Sequence, residues 1–160
     1  MDIKNRQGQK RFSETVQTEI YIHASPELIW SVLSDLQGYR EWNPMIRRAS
    51  GELKQGKRLN IYFNPEGSKG RTFRPKLLVV DPGYELRWQG QPGVPLLFES
   101  EHIFIIEQAG EGRSRLIHDM IFYGLLIPLA RSKIVSTVKG HFNDMNLALK
   151  DRVEQNQADK

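Results

Sequence analysis

The chain has 160 residues, 39% apolar and 26% charged side chains and a net charge of +4, a composition typical of one soluble globular domain. No apolar run approaches the roughly 20 residues that a membrane-spanning helix needs. Without cysteine the chain can form neither disulfides nor thiolate metal sites. The N-terminus is polar and basic and lacks the apolar stretch of a signal peptide, so we expect a cytoplasmic protein.

The basic residues are spread along the chain. They occur in the first twelve residues and again between residues 54 and 76, at positions typical of turns and strand ends. No motif of a nucleic-acid-binding protein accompanies them. We therefore expect a solvated basic surface, at most a weak peripheral membrane contact and no nucleic-acid partner. The pattern carries no signal for any oligomeric state.

The first predicted elements are a strand and two short helices. Residues 14–23 alternate apolar and polar side chains, which is the period of a strand. Ser25, followed by proline and glutamate, is a good N-cap and predicts a helix over residues 26–34. A glycine then interrupts the pattern, residues 39–42 can form one more turn, and Pro44 ends the helical segment.

The middle of the chain has the pattern of an antiparallel meander. Six runs rich in β-branched and aromatic residues follow the helices. Together with the first strand they predict a curved antiparallel sheet of about seven strands. Turn signals rich in Gly, Pro and Asp separate the runs at residues 51–57, 65–70, 81–83, 90–95 and 110–112.

One long helix is predicted at the end of the chain, from Ser132 to about Gln155. Such a helix can cover one face of a curved sheet, which gives an α+β domain. We expect this single domain to span residues 14–156, between a flexible basic tail at 1–13 and a frayed tail at 157–160. The apolar stripe of the helix consists of Ile134, Val138, Phe142, Met145, Leu149 and Val153.

Three stretches of the chain carry a family resemblance. They are IYIHASPELIWSVLSDLQGYREWNP at residues 20–44, ESEHIFIIEQAGEGRSRLIHDMIFYGLLIPLA at 99–130 and HFNDMNLALKDRVE at 141–154. Over about residues 14–156 the chain resembles the SRPBCC superfamily, which includes START-related lipid-transfer proteins, birch-pollen-allergen-like proteins, polyketide cyclases and coenzyme-Q-binding proteins. The resemblance implies a helix-grip fold, with an apolar cavity between the sheet and the long helix and the two short helices at its mouth.

Two histidines on neighbouring strands are the clearest candidates for a functional site. A turn near residues 109–113 joins the strands, so His102 and His118 are expected to be direct or diagonal neighbours. The faces that carry the larger aromatic side chains should point inward. These faces consist of Phe98, Ser100, His102, Phe104 and Ile106 on one strand and Leu116, His118, Met120 and Phe122 on the other.

Three roles are open for His102 and His118. They can hydrogen-bond a carbonyl or hydroxyl group of a lipophilic ligand, they can be structural, or they can act as general acid and base. No inward carboxylate is predicted to orient them, and two histidines alone make a poor metal site. The Gly-x4-Gly-Lys spacing at residues 51–57 is followed by Arg58 where a phosphate loop has Ser or Thr. We therefore expect neither a metal nor a cofactor.

The sequence and its resemblance together predict a non-catalytic protein that binds or transports a small hydrophobic molecule, such as a lipid, an isoprenoid quinone or a polyketide-like compound. The alternative is an enzyme of the polyketide cyclase or dehydratase type, a lyase or isomerase with His102 or His118 as acid and base. The apolar run at residues 124–130 is expected to be an entrance to the cavity or a buried connection. The predicted ligand-binding residues are Phe98, His102, Phe104, His118, Met120, Phe122, Val138, His141, Phe142 and Met145.

Overall fold

The structure is a computed structural model that describes residues 13–90 and 98–159. Most of the predicted N-terminal tail and most of the predicted turn at residues 90–95 lie outside these described residues. Within them the chain forms eight strands, three α-helices and one 3-10 turn. The elements are β1 (Ser13–Ile22), α1 (Pro26–Ser34), the 3-10 turn (Leu36–Gly38), α2 (Tyr39–Trp42), β2 (Ile46–Ser50), β3 (Asn60–Phe63), β4 (Arg71–Phe73), β5 (Lys76–Asp81), β6 (Glu85–Gly90), β7 (Glu99–Gln108), β8 (Ser114–Tyr123) and α3 (Ile127–Ala158).

The strands form two antiparallel sheets. The larger sheet has the order β1-β8-β7-β6-β5, and the smaller one has the order β2-β3-β4. Each element between β1 and β2 is a short helix or turn, while α3 follows the last strand and packs against β1 and α1. The predicted α+β architecture, with two short helices after the first strand and one long C-terminal helix, is confirmed.

The strand count differs from the prediction because of Pro75. The sequence predicts one strand in the run at residues 70–82, but the structure divides this run into β4 and β5, which pair with β3 and β6 respectively. Proline has no N–H to donate to a neighbouring strand, so a central strand cannot continue through it. The carbonyl of Pro75 instead accepts the N–H of Leu59 at 3.0 Å, which links the two sheets at the break. The prediction of about seven strands in one sheet is thus wrong, since there are five strands in one sheet and three in the other.

Helix α1 begins and ends where the sequence predicts. The hydroxyl oxygen of Ser25 accepts the N–H of Leu28 at 3.4 Å, and Pro26 is the first helical residue. The carboxylate of Asp35 then accepts the N–H of Gly38 at 3.2 Å, which begins the 3-10 turn. Local side-chain capping therefore determines both boundaries of this segment.

Asn43 directs the chain from the helices into the smaller sheet. This residue is fully buried, and its Oδ1 atom accepts the N–H groups of Met45 and Ile46, both at 2.9 Å. Pro44 disfavours a helical conformation at the residue before it. The Asn-Pro pair thus ends the helical segment and fixes the start of β2.

Helix α3 begins at Ile127, earlier than the predicted start at Ser132. Pro128 is the second residue of the helix, within the first turn, where a backbone N–H has no partner inside the helix. Proline is therefore compatible with this position. The apolar run at residues 124–130 is not a buried connection, because three of its leucines are exposed. Although α3 has 32 residues, neither it nor any other described helix is apolar enough to cross a membrane. The exposed leucines are Leu125, Leu126 and Leu129.

The main core lies under the C-terminal half of α3. Met145, Leu149 and Val153 are completely buried and belong to one cluster with side chains from α1, the short helical turns and both sheets. In the N-terminal half of the helix, Ile134 and Val138 are only partly buried. The helix therefore covers a filled core with one half and a more open space with the other.

We predict that Leu149→Ala lowers the free energy of unfolding by about 2–5 kcal/mol, since it removes buried methyl groups and leaves a cavity. Leu147 lies on the same helix but is 54% exposed, so Leu147→Ala should change the stability by no more than about 0.5 kcal/mol. Urea unfolding of both variants measures the difference. Equal losses in the two variants would contradict the assignment of the core to this half of α3.

Candidate functional site

A cavity of about 730 Å³ lies between the two sheets and the N-terminal half of α3. Strands β2, β3, β4, β6, β7 and β8 contribute to its wall together with the helix. Its volume falls within the range of roughly 300–1,000 Å³ that is usual for small-molecule sites. Most of the wall is apolar, and its larger apolar side chains include Ile61, Phe63, Phe73, Phe98, Phe122 and Val138.

A few polar side chains interrupt the apolar wall. Arg71 and Lys133 are exposed and give the edge of the cavity a positive charge. None of the described residues that line the cavity is Asp or Glu. No group of three or more His, Asp or Glu side chains in the described part of the chain is placed to hold a metal ion. The remaining side chains on the wall that carry a polar group are Trp88, Ser100, His102, Thr137 and His141.

The predicted ligand-binding residues fall into two groups. Phe104, His118 and Met145 are completely buried beneath the cavity and do not form part of its wall. The alternation of a strand determines which face a side chain takes but not how deep it lies along that face, which is why the sequence could not separate the groups. Contact with a ligand stays a prediction for every member. The residues that do line the cavity are Phe98, His102, Met120, Phe122, Val138, His141 and Phe142.

The pairing of β7 with β8 brings the two histidines together. In this register His102 lies opposite Met120, and Phe104 lies opposite His118, so the histidines are diagonal neighbours on the inward face. Their Nε2 atoms are 2.5 Å apart. The two ring planes are parallel to within 2°, and the ring centroids are 4.8 Å apart. With the Nε2 atoms 2.5 Å apart, this centroid distance requires the rings to meet edge to edge in one plane.

Aromatic rings from the sheet and the helix hold this pair in place. The ring centroid of His118 lies 3.7 Å from that of Phe142 on α3 and 4.3 Å from that of Phe104 on β7. Both phenyl rings also stack on His102. We call these four residues the imidazole layer. Because His102 and Phe142 line the cavity while the other two are buried below, the layer forms the cavity floor.

A short chain of hydrogen bonds leads from the floor into the interior. The Nδ1 atom of His118 lies 2.7 Å from Oδ1 of Asn146 on α3, and Nδ2 of Asn146 donates to the hydroxyl oxygen of Thr18 at 3.0 Å. The Thr18 hydroxyl in turn donates to the backbone carbonyl of His118 at 2.9 Å. An amide and a hydroxyl group therefore orient His118, in the place where a carboxylate would accompany a catalytic histidine.

Burial keeps both imidazoles neutral. Removal from water lowers the pKa of His118 to about 3, although the hydrogen bond to Asn146 acts in the opposite direction. Burial, and secondarily the neighbouring His118, lower the pKa of His102 well below its usual range. At neutral pH the cavity floor thus carries no charge.

Sequence reasoning missed the contribution of the smaller sheet. Ile61 and Phe63 alternate on one face of β3, and this was the available signal, but nothing in the local pattern shows that this face meets α3. Arg71, which the sequence assigns to the solvated surface, reaches the cavity edge with its guanidinium 5.5 Å from the centroid of the Phe73 ring. Asn146 was also missed as a partner of His118, since only its place at the edge of the apolar stripe marks it.

Comparison with known proteins identifies the family. Residues 13–154 match the profile of the family described as polyketide cyclase / dehydrase and lipid transport. The chain belongs to this family. The sequence-based resemblance to the wider SRPBCC superfamily is thereby confirmed. Among curated proteins, none matches the sequence of this family member.

Solved structures share the fold of this family member. An aromatase/cyclase from a Streptomyces species is 17% identical, over 89% of this chain and 94% of its own, with a TM-score of 0.73. A START superfamily protein from Mycobacterium smegmatis is 23% identical, over 88% of this chain and 97% of its own, with a TM-score of 0.70. Norcoclaurine synthase from Thalictrum flavum, in complex with dopamine and hydroxybenzaldehyde, is 17% identical, over 97% of this chain and 93% of its own, with a TM-score of 0.69. At these identities the likeness establishes the helix-grip fold alone.

We predict that the buried histidines make the protein less stable as the pH falls. Unfolded imidazoles bind protons below a pKa of about 6.5, while both folded rings resist protonation, so the unfolded state binds more protons in this range. Between about pH 6.5 and about pH 5 each ring should contribute a loss of up to about 1.4 kcal/mol per pH unit. Urea unfolding across this range measures the slope.

Two variants test whether His102 and His118 cause this pH dependence of the unfolding free energy. One is a double substitution of the two histidines, and the other is a control at a surface histidine. His102→Gln with His118→Gln should flatten the pH dependence of the unfolding free energy, whatever its effect on the stability at neutral pH. His23, with a side chain that is 72% exposed, lies on the surface beside Glu154, and His23→Gln should retain most of the slope. A double variant with the same slope as the original protein would show that the two histidines are not buried in neutral form.

Proposed function

We propose that the protein binds a small hydrophobic molecule, such as a lipid, an isoprenoid quinone or a polyketide-like compound, and carries it without chemical change. The observation that supports this function best is the apolar cavity of about 730 Å³ beside a core that is otherwise filled. Protein interiors are normally packed as densely as organic crystals. Side chains around an empty space lack dispersion contacts on one side, and a ligand of matching shape restores those contacts.

Burial of the ligand provides the free energy of binding. Apolar surface removed from water contributes roughly 25 cal/mol per Å², so a ligand that buries about 300 Å² gains on the order of 7 kcal/mol before the entropic cost of association. The flexible thioether of Met120 on the wall can adapt to ligands of different shapes. This balance suits reversible carriage of a lipophilic compound better than permanent retention.

The N-terminal end of α3 is the proposed entrance. Leu129 is 87% exposed and lies on the cavity wall, close in sequence to the exposed Leu125 and Leu126. Lys133, one turn further along the helix, adds positive charge at the same edge. Exposed leucines beside a cation suit a weak contact with an anionic membrane from which a lipophilic ligand is taken up.

The relatives support a binding function without deciding its details. The family description itself combines cyclase or dehydrase activity with lipid transport. Among the structures of similar fold, norcoclaurine synthase holds two small aromatic compounds. By analogy, the cavity of the present protein is the place for its own ligand.

We predict that Val138→Trp blocks ligand binding. Val138 lines the cavity, so an indole ring in its place occupies ligand space and should weaken binding of the fluorescent dye anilinonaphthalene sulfonate at least about tenfold. Leu147→Trp, on the exposed face of the same helix, is the control and should bind the dye as the original protein does. Thermal unfolding verifies that both variants are folded. Unchanged dye binding by folded Val138→Trp would place the dye outside this cavity.

A second candidate function is catalysis of the polyketide cyclase or dehydratase type. The observation that favours it is the position of His102 on the cavity floor, where the ring also contacts an oriented second histidine. The lowered pKa of His102 counts against it, because a general base works best when its pKa lies near the working pH. Because burial disfavours proton uptake by His102, we place binding first.

His102→Gln separates the two functions. If the protein is a carrier, incubation of either form with an acyl chain of alternating ketones yields no enzyme-dependent product, as measured by mass spectrometry. If the protein is a cyclase, the original protein forms a dehydrated cyclic product, and the variant forms it about 10²–10⁴-fold more slowly. Enzyme-dependent turnover that His102→Gln lowers to this extent would overturn the non-catalytic function.

A further inference from the structure

We propose that the cavity floor selects ligands that present a hydroxyl hydrogen, such as phenols, enols and alcohols, over ligands of the same body that offer only a carbonyl or ether oxygen. The group that makes the selection is Nδ1 of His102, which the hydrogen-bond chain leaves as an acceptor. This inference rests on the proposed function, because it names the class of ligand for the same cavity.

The direction of the hydrogen-bond chain is fixed at its inner end. The backbone carbonyl of His118 can only accept, so the Thr18 hydroxyl, 2.9 Å away, must donate its single hydrogen to that carbonyl. The hydroxyl oxygen can then only accept from Asn146. The amide nitrogen of Asn146 therefore faces Thr18, and its carbonyl oxygen faces His118.

This direction determines the hydrogen positions on both imidazoles. The Asn146 oxygen accepts from Nδ1 of His118, so that nitrogen carries the hydrogen. A neutral imidazole has one N–H, which leaves a lone pair on Nε2 of His118. Nε2 of His102 lies against that lone pair at 2.5 Å and must be its donor. His102 therefore has its hydrogen on Nε2 and a lone pair on Nδ1.

Packing prevents His102 from reversing this arrangement. Its ring is stacked between Phe104 and Phe142, and the indole of Trp88 meets it at a centroid distance of 4.7 Å. Hydrogen-bond partners for Nδ1 of His102 are absent among the described residues, while the ring itself lies on the cavity wall. Nδ1 of His102 is thus the hydrogen-bond acceptor on the cavity floor that is available to a ligand.

The other side chains on the wall that can accept a hydrogen bond are more exposed than His102. Ser100 and His141 are only half-buried, so water competes for their acceptor atoms. Arg71 and Lys133 only donate, and the residues that line the cavity include no carboxylate. Thr137 is exposed, so water competes for its hydroxyl. His102 is only 6% exposed, and a carbonyl oxygen placed against its lone pair would leave two desolvated acceptors without a hydrogen between them.

The first experiment reads the tautomers without any ligand. Two-bond proton–nitrogen NMR correlation spectra of nitrogen-labelled protein distinguish Nδ1–H from Nε2–H imidazoles, and the single variants His102→Gln and His118→Gln assign the signals. We expect opposite tautomers, with the hydrogen on Nε2 in His102 and on Nδ1 in His118. A hydrogen on Nδ1 of His102 overturns the inference, whether or not the cavity binds ligands.

Thr18 is a positioning residue in this scheme, and a pair of variants tests its role. Thr18→Val removes the hydroxyl that orients the Asn146 amide, so His102 should no longer show a single tautomer. Thr18→Ser retains the hydroxyl and should preserve the original spectrum. If Thr18→Val is folded and leaves both tautomers unchanged, the chain is not fixed from its inner end and the argument fails.

The second experiment measures selectivity with naphthol, methoxynaphthalene and naphthaldehyde, which share one apolar body. Calorimetric titration should show naphthol binding at least about tenfold more tightly than either of the other two. His102→Phe retains a ring in the layer but lacks the acceptor, so its preference for naphthol should fall to within about threefold. His23 is exposed and does not line the cavity, so His23→Gln should keep the full preference.

The outcomes separate this inference from the function on which it rests. If the original protein binds all three probes equally, the cavity is a binding site but the proposed selection is wrong. If none of the probes binds and the dye does not bind either, the proposed binding function is overturned and the selection with it. A preference for naphthol that persists in His102→Phe assigns the selection to another group and also overturns the inference.

Discussion

The contact between the coplanar imidazoles of His102 and His118 lies at the level of the fold where the filled core ends and the cavity begins. These rings lie between the core under the C-terminal half of α3 and the cavity under its N-terminal half. Two buried histidines need hydrogen-bond partners, and these come from Thr18 on β1 and Asn146 on α3. One polar network therefore ties the long helix to the three adjacent strands β1, β8 and β7 at a single level of the fold.

The same network explains why the floor can be polar and yet uncharged. A carboxylate beside the histidines would favour an imidazolium and would bring charge into an apolar space. An amide and a hydroxyl group orient the rings without that charge. Phe104 and Phe142 exclude water from both imidazoles, so that the pair keeps its neutral form near neutral pH. The result is a cavity floor that suits lipophilic molecules with one polar group.

Much of the fold was predictable from the sequence because local signals determined it. The Ser25 cap and the adjacent Pro26 defined α1, and strict alternation defined the inward faces of β7 and β8. Pro75 was misjudged because residues with strand propensity lie on both sides of the Arg74-Pro75-Lys76 segment, although proline has no N–H to donate within a central strand. Pro128 was placed in a loop, while its missing N–H suits the first turn of α3 equally well.

The site was less predictable than the fold, for geometric reasons. Alternation placed Phe104 and His118 on the correct face, but only the tertiary packing shows that they lie below the cavity and not on its wall. The angle between the two sheets determines which side chains of the smaller sheet line the cavity. No local sequence pattern encodes that angle. The bond between Asn146 and His118 depends in turn on the rotation of α3 about its axis. Such contacts between distant segments require the assembled structure.

The proposed function requires that the cavity hold a small lipophilic molecule. Native mass spectrometry of the purified protein, followed by organic extraction and identification of any released compound, tests it most directly. We predict one molecule of a hydrophobic compound bound per chain, and its loss in Val138→Trp, where an indole ring occupies the cavity. A bare chain mass for the original protein, even after incubation with lipid extracts, together with no dye binding, would contradict it.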